Sequence, residues 1–271
     1  MSDLIISGIS HFNLLQTLDN GQAFRWEKTA TSFCGVAHGR VVEISENGGN
    51  IILKNMTETD FLDTWLEYFD LGRDYITIRE YLAEYGGEPL RKAIEFSPGL
   101  RLLKQDPWEM LISFIISQNN NIPRIKKMIK TLCKAFGDNL GGGHYAFPSA
   151  ERLSKLNASD LDVIRGGYRT AYILDAARKT ADGSFDIGEC ESLPTRLLYE
   201  KLCTIKGVGP KVANCVLLFG FGHIDIFPVD VWMKKITAKF YPSGFPADIA
   251  PYAGLAQQFL FHYVRMNPSE L

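Results

Sequence analysis

The chain has 271 residues, 46% of them hydrophobic, 22% charged and 12% aromatic, with a formal net charge of -2; this is a soluble globular composition that excludes collagen-like, coiled-coil and wholly disordered chains. No stretch approaches the ~18 uninterrupted apolar residues of a membrane span, and Met1 to Gly8 has neither the basic start nor the apolar core of a signal peptide, so a cytoplasmic, nucleoid-associated protein is expected. The near-neutral total hides an asymmetry: residues 1–100 hold 8 Lys and Arg against 15 Asp and Glu, and the rest hold 21 against 16, so a polyanion would be met by the second part.

From Ile5 to Leu53, short apolar runs alternate with turn signals. The runs are Phe12-Asn13-Leu14, Phe33-Cys34-Gly35-Val36, Val41-Val42-Glu43-Ile44 and Ile51-Ile52-Leu53; the turns are Asp19-Asn20-Gly21 and Glu46 to Asn50. Period-two runs between Asn-Gly turns predict an antiparallel sheet. From Thr59 the spacing of Phe61, Leu62, Trp65, Leu66 and Phe69 is helical. Ser97-Pro98-Gly99 predicts a boundary, dividing an N-terminal β-sheet domain with flanking helices (residues 1–98) from a mainly helical domain (residues 99–271), an α+β chain. Asp106-Pro107-Trp108-Glu109 is a helix start, with Asp as N-cap, Pro in the first turn and Glu three residues after the cap. The helix that follows, Met110 to Gln118, is almost wholly apolar and is expected at the centre of its domain. Breaks at Gly137 to Gly143, Gly166-Gly167, Lys206 to Gly209 and Tyr241 to Pro251 separate further helices. The five cysteines include no Cys-x-x-Cys pair, and none follows Cys215, so neither a disulfide framework nor a clustered metal or iron-sulfur site is expected.

The most informative segment runs from Leu202 to Cys215. An apolar helix end, the Gly207-Val208-Gly209 turn and a helix opened by Pro210 make a helix-hairpin-helix. Its glycines allow close backbone approach, and the free amides that open the second helix form an anion site suited to a DNA phosphate. A nucleotide-binding P-loop would need four residues between its glycines and a Lys-Ser/Thr ending, both missing here. Lys211 lies in the first turn of the second helix, where the macrodipole disfavours a cation and favours the nucleophilic neutral amine. Asp230, in Phe227-Pro228-Val229-Asp230-Val231-Trp232, opens another helix whose dipole stabilises its anion. Taken singly, each residue also fits a plain role, a surface lysine and a helix cap. Together they offer an amine and a carboxylate for acid-base chemistry, which a hairpin used only for binding DNA would not need.

The hairpin followed by Pro228-Val229-Asp230 resembles the helix-hairpin-helix superfamily of base-excision DNA glycosylases. Several segments resemble its 8-oxoguanine DNA glycosylases: Gly21 to Trp26, Arg101 to Pro107 running on to Ser117-Gln118-Asn119-Asn120-Asn121-Ile122-Pro123-Arg124-Ile125, Gly167-Tyr168-Arg169, and Pro251 to Phe261. The match runs in order from Gly21 to Phe261. The resemblance implies a sheet domain and two helical regions flanking a cleft. It also implies a bifunctional enzyme that flips 8-oxoguanine out of duplex DNA and excises it through a Schiff base on Lys211 assisted by Asp230, then cleaves the strand by β-elimination. In it Gly21, Cys215, Gln257 and Phe261 form the base pocket, with the Gly21 carbonyl accepting the N7–H that only the oxidised base carries. Asn119 fills the vacated space, Tyr168 wedges beside it, and Arg124 and Arg169 read the orphaned cytosine. Gly207, Val208 and Gly209 meet the backbone. A glycosylase for alkylated purines is the alternative, against which the pocket set argues. No organic cofactor or iron-sulfur cluster is implied, although a potassium or calcium ion can sit at such hairpins. A monomer is expected. Where eukaryotic relatives carry a histidine two residues after the aspartate, this chain has Trp232, and none of its five histidines is given a catalytic part.

Overall fold

The computed structural model describes residues 2–271. Its N-terminal part is a five-stranded antiparallel sheet in the order β1-β5-β4-β3-β2, built from β1 (Leu4–Ile6), β2 (Trp26–Lys28), β3 (Phe33–Ala37), β4 (Arg40–Asn47) and β5 (Asn50–Leu53). Asn47 pairs with Asn50, and Gly48 and Gly49 make the two-residue turn with φ of +58° and +80°, the twist-compatible geometry that glycine supplies. The Trp26 ring lies over Gly35, across the β2–β3 pairing, where no side chain would fit. Its indole donates to the Tyr68 hydroxyl at 2.8 Å.

One expectation fails here. Phe12-Asn13-Leu14 is not a strand: the Asn13 side chain accepts from Gln16 N at 3.0 Å and caps helix α1 (Leu14–Leu18). A capping side chain competes with ladder pairing for the local backbone, and Asp19-Asn20-Gly21 is accordingly the loop leaving α1 rather than a hairpin turn. The helical spacing after Thr59 is realised as α2 (Glu58–Asp60), a π-helical turn (Phe61–Trp65) and α3 (Leu66–Tyr68), which cover one face of the sheet through Phe61, Trp65, Tyr68 and Phe69.

The larger core is helical. It joins α4 (Tyr75–Tyr85) and α5 (Gly87–Phe96) to α6 (Pro107–Ser117) and α7 (Ile122–Phe136). A short β6–β7 hairpin (Asn139–Gly141, His144–Tyr145) follows, then α8 (Ala150–Ser154), α9 (Arg169–Ala181), α10 (Ile187–Cys190), α11 (Thr195–Leu202), α12 (Pro210–Phe219), α13 (Val231–Phe240) and α14 (Ala253–Met266). Helix α6 starts as its sequence dictates, with Asp106 accepting from Glu109 N at 2.7 Å. Every residue from Trp108 to Ile116 is buried, so α6 is the central helix. No helix among the described residues is long and apolar enough to cross a membrane.

Two polar links fix the sheet against the helices. The buried Gln22 amide donates to Thr17 O and Arg101 O, each at 2.8 Å, and its carbonyl oxygen accepts from Leu103 N at 2.9 Å. The loop carrying Gly21 is thereby tied to the segment before α6. Arg25 pairs with Glu109 at 3.0 Å, both side chains nearly sealed from solvent, and also donates to Tyr145 O. Burial pushes the Glu109 carboxyl up to about 7 despite the opposing pull of Arg25.

Candidate active site

Between the Gly21 loop and helices α6, α7, α12 and α14 lies a cavity of about 580 Å³ whose walls include Gly21, Lys211, Cys215, Asp230, Gln257 and Phe261. A groove of about 540 Å³ adjoins it, lined by Asn119, Gly209 and Val229 together with Lys211 and Asp230. The amine and the carboxylate therefore stand on the wall common to both spaces. All six residues expected around a bound base line one cavity, although they come from four separate stretches of sequence.

The hairpin explains how Lys211 arrives there. Helix α11 ends at Leu202 and the chain turns through Val208 N donating to Ile205 O at 3.0 Å. Gly207 has φ of +81°, and a side chain on it would run into the Tyr172 ring, so glycine is demanded twice over. Gly209 caps α12 without a side chain. Backbone bonding in α12 begins at Ala213 N to Gly209 O, 2.9 Å, which leaves the amides of Lys211 and Val212 at the open helix end. The Lys211 amine donates to Ser117 Oγ at 3.0 Å and sits 5.0 Å from the centre of the Phe114 ring. Phe114 is itself stacked on Phe219, with centroids 5.5 Å apart and planes 15° from parallel.

Cys215 lies one turn beyond Lys211 and is 4% exposed. Burial pushes its thiol up while the neighbouring Lys211 draws it back down. Asp230 caps α13, accepting from Met233 N at 2.8 Å. Gln257 and Phe261 are one turn apart on α14. The Gln257 carbonyl oxygen accepts from Gln258 Nε2 at 2.8 Å, which holds the buried side chain and leaves its own amide group to donate. Gly21 has φ of +92° and faces Phe261.

On the groove side, Asn119 is exposed between α6 and α7 with φ of +46°. Its conformation is held from below: Gln118 O accepts from Arg169 Nε at 3.0 Å and from the Tyr168 hydroxyl at 3.3 Å, and Asn119 O accepts from Arg169 Nη2 at 3.0 Å. Tyr168 is 49% exposed, as a wedge requires, whereas Arg169 is 4% exposed with its donors occupied. Arg124 is exposed, its guanidinium in long contact with Arg165 O at 3.5 Å. The two arginines thus differ: Arg124 has donors to spare, and Arg169 would first have to release the Asn119 loop.

Sequence reasoning assigned no role to Ser117, Phe114 or Gln258, which touch Lys211 or Gln257. The first carried a faint signal, a polar residue closing an otherwise apolar helix. Phe114 and Gln258 carried none, since each reads as an ordinary member of its helix.

Two family models cover most of the chain: the 8-oxoguanine DNA glycosylase N-terminal domain matches residues 4–111 and the HhH-GPD superfamily base excision DNA repair protein model matches residues 112–246. The N-glycosylase/DNA lyase of Saccharomyces cerevisiae is 35% identical over 263 residues, covering 86% of this chain and 69% of the yeast protein. Among solved structures, MBOgg1 in complex with a low affinity DNA ligand superposes with a TM-score of 0.93 at 41% identity, covering 99% of this chain and 97% of that one. The Clostridium acetobutylicum 8-oxoguanine glycosylase/lyase, in complex with double-stranded DNA containing cytosine opposite 8-oxoG, gives 0.91 at 35% identity, covering 98% and 96%. With the sheet domain, the hairpin and the lysine–aspartate wall all in place, the chain belongs to the 8-oxoguanine DNA glycosylases of the helix-hairpin-helix base-excision repair superfamily.

Proposed function

We propose that this protein excises 8-oxoguanine from duplex DNA through a lysine Schiff base and then nicks the strand by β-elimination. The observation that carries the proposal is the position of Lys211 and Asp230 on the wall shared by a base-sized cavity and an open groove. An enzyme cannot reach a glycosidic bond inside the stack, so the damaged nucleotide is flipped out, at a cost of a few kcal/mol. The base enters the cavity, the sugar lies at the wall, and the strand runs along the groove to the Gly207-Val208-Gly209 hairpin and the open amides of Lys211 and Val212 that follow it. Asn119 and Tyr168 occupy the gap.

In the cavity Phe261 and Cys215 flank the purine and Gln257 reads its pairing edge. The Gly21 carbonyl, which accepts no hydrogen bond from the described residues, takes the N7–H of the oxidised base. Guanine presents a lone pair at N7, and two facing acceptors in a buried site cost ~1–3 kcal/mol. The Lys211 amine attacks C1′ through its lone pair and the C1′–N9 bond breaks with its electron pair leaving on the base. A proton passes from the new C–N linkage to the Asp230 carboxylate, whose charge also stabilises the cationic sugar. Opening of the sugar gives the Schiff base from which β-elimination proceeds.

Opposite the lesion, Arg124 reads cytosine, whose O2 and N3 acceptors match a guanidinium fork. Arg169 joins it once the DNA displaces its hold on Gln118 O and Asn119 O. The protein acts as a monomer at the nucleoid, residues 99–271 carrying the chemistry and residues 1–98 supplying Gly21. Neither step, as proposed, calls on a metal. The described residues hold no cluster of three or more His, Cys, Asp or Glu side chains, and any ion at the hairpin would have to use backbone carbonyls, of which that of Ile205 already accepts from Val208.

Borohydride reduction during turnover tests the proposal. Wild type should be captured covalently on a duplex containing 8-oxoguanine, and Lys211→Gln should lose both capture and base release while still binding the lesion. Base release by Lys211→Gln at the wild-type rate would remove Lys211 as nucleophile.

A further inference from the structure

The Lys211 amine is not free in its cavity. Its Nζ donates to Ser117 Oγ at 3.0 Å, and the same hydroxyl donates its single proton to Phe114 O, one turn back in α6, at 2.8 Å. A serine hydroxyl has one hydrogen and two lone pairs. With the hydrogen committed to a helix carbonyl, Ser117 faces Lys211 purely as an acceptor. That direction matters for a nucleophile. A hydroxyl pointing its hydrogen at a neutral amine would occupy the nitrogen lone pair, whereas one that accepts an N–H leaves the lone pair open.

The remaining surroundings fit the same arrangement. Lys211 forms no ion pair among the described residues; Ser117 supplies the oxygen that its amine donates to, and the buried Cys215 thiol one turn on is near enough for Lys211 to draw it down. The Phe114 ring, 5.0 Å from Nζ, is fixed by stacking on Phe219 and by an edge contact with Phe24 at 5.7 Å, so the amine lies between a rigid ring and a rigid helix end. Ser117 also lines both the base cavity and the groove, the wall at which the sugar is received.

Resting on the lysine mechanism above, we propose that Ser117 is a positioning residue for the nucleophile. It accepts one N–H of Lys211 so that the lone pair points at C1′ of the flipped nucleotide. Ser117 exchanges no proton in the reaction. The N–C1′ bond forms from the amine lone pair, the C1′–N9 pair leaves with the base, and the proton lost by nitrogen goes to Asp230, as already written.

The test uses the whole chain of 271 residues with Ser117→Ala and Ser117→Thr. Single-turnover excision of 8-oxoguanine, borohydride capture on a pre-formed abasic duplex, and affinity for a duplex carrying a stable abasic analogue are measured side by side, with thermal denaturation as a control on folding. Ser117→Ala should slow both excision and abasic capture at least tenfold, because both use the same amine, with affinity changed less than about twofold. Ser117→Thr keeps the hydroxyl and should recover most of the rate. Wild-type capture rates in Ser117→Ala would overturn the positioning role, as would a Ser117→Thr variant that folds normally yet is as slow as Ser117→Ala. Absence of any capture by wild type would instead overturn the lysine mechanism itself, so the two failures are distinguishable.

Discussion

Adding one methyl group at Gly21 separates recognition of the base from attack on the sugar. A Cβ built there lies 3.2 Å from Ile122 Cδ1 and 3.4 Å from Phe261 Cε1, on a backbone with φ of +92°. Holding an L-residue in that conformation costs ~1–2 kcal/mol. At about 2–4 °C per kcal/mol for a chain of this size class, Gly21→Ala should melt roughly 2–8 °C lower and remain folded. The larger effect falls on the cavity, since the methyl group presses on Phe261 and shifts the carbonyl that we propose takes the N7–H. Losing that hydrogen bond is worth ~1–3 kcal/mol, or about 5- to 150-fold in rate. Single-turnover release of 8-oxoguanine should fall by this factor, while borohydride capture on a duplex already lacking the base stays within about twofold. An equal fall on both substrates would refute the reasoning, because it would mean that Gly21 shapes the catalytic wall rather than the base contact.

Arg124→Ala should leave excision opposite cytosine weaker and narrow the preference over adenine by ~1–3 kcal/mol; a uniform loss for all four opposite bases would make Arg124 a phosphate contact. Glu109→Ala leaves the buried Arg25 charge without its partner and should cost ~3–5 kcal/mol in urea denaturation, whereas Glu109→Gln, which keeps an acceptor for Arg25, should cost clearly less; equal costs would point to lost packing, not lost pairing. Burial and the nearby Arg265 charge lower the His262 imidazole to about 4 from its ordinary 6.5, so its contribution to stability is full above 6.5 and is lost as pH falls through about 4. His262→Phe should flatten that part of the acid-side stability curve, and parallel curves for variant and wild type would exclude His262 as the cause.

The elements that could be read from sequence are those whose signals are local. The Asp106 cap, the Asp230 cap, the Gly48-Gly49 turn and the Gly207 hairpin each depend on a few adjacent residues, and each forms as its residue types require. The misread segment, residues 12–14, also obeyed a local signal, but Asn13 as a cap outweighed a weak three-residue alternation. Lys211 and Asp230 were legible as a pair from their helix starts, but the pocket residues Gly21, Cys215, Gln257 and Phe261 were legible only through the resemblance, because they are brought together by tertiary packing that no periodicity encodes. The Gln22 amide, bridging Thr17, Arg101 and Leu103, fixes the Gly21 loop across some 80 residues of chain, and no spacing rule would single it out. The occupied state of Arg169 was likewise invisible, since a guanidinium facing solvent and one clamping three carbonyls have the same sequence.

That clamp bears on how damage recognition could be coupled to the opposite base. Arg169 holds the Gln118 and Asn119 carbonyls, and Asn119 sits in a left-handed conformation that asparagine tolerates better than most residues. Gln118 directly follows Ser117, which holds the Lys211 amine. If DNA draws Arg169 toward an orphaned cytosine, the carbonyls it releases belong to the turn that begins at the lysine's anchor. A correct opposite base would then be felt at the nucleophile through two residues of backbone, without any contact between the two strands' recognition groups. An incorrect base would leave Arg169 on its carbonyls and the Asn119 turn in its present conformation. Opposite-base discrimination would on this account be expressed in the single-turnover rate of attack as well as in affinity, and discrimination confined to affinity would rule the coupling out.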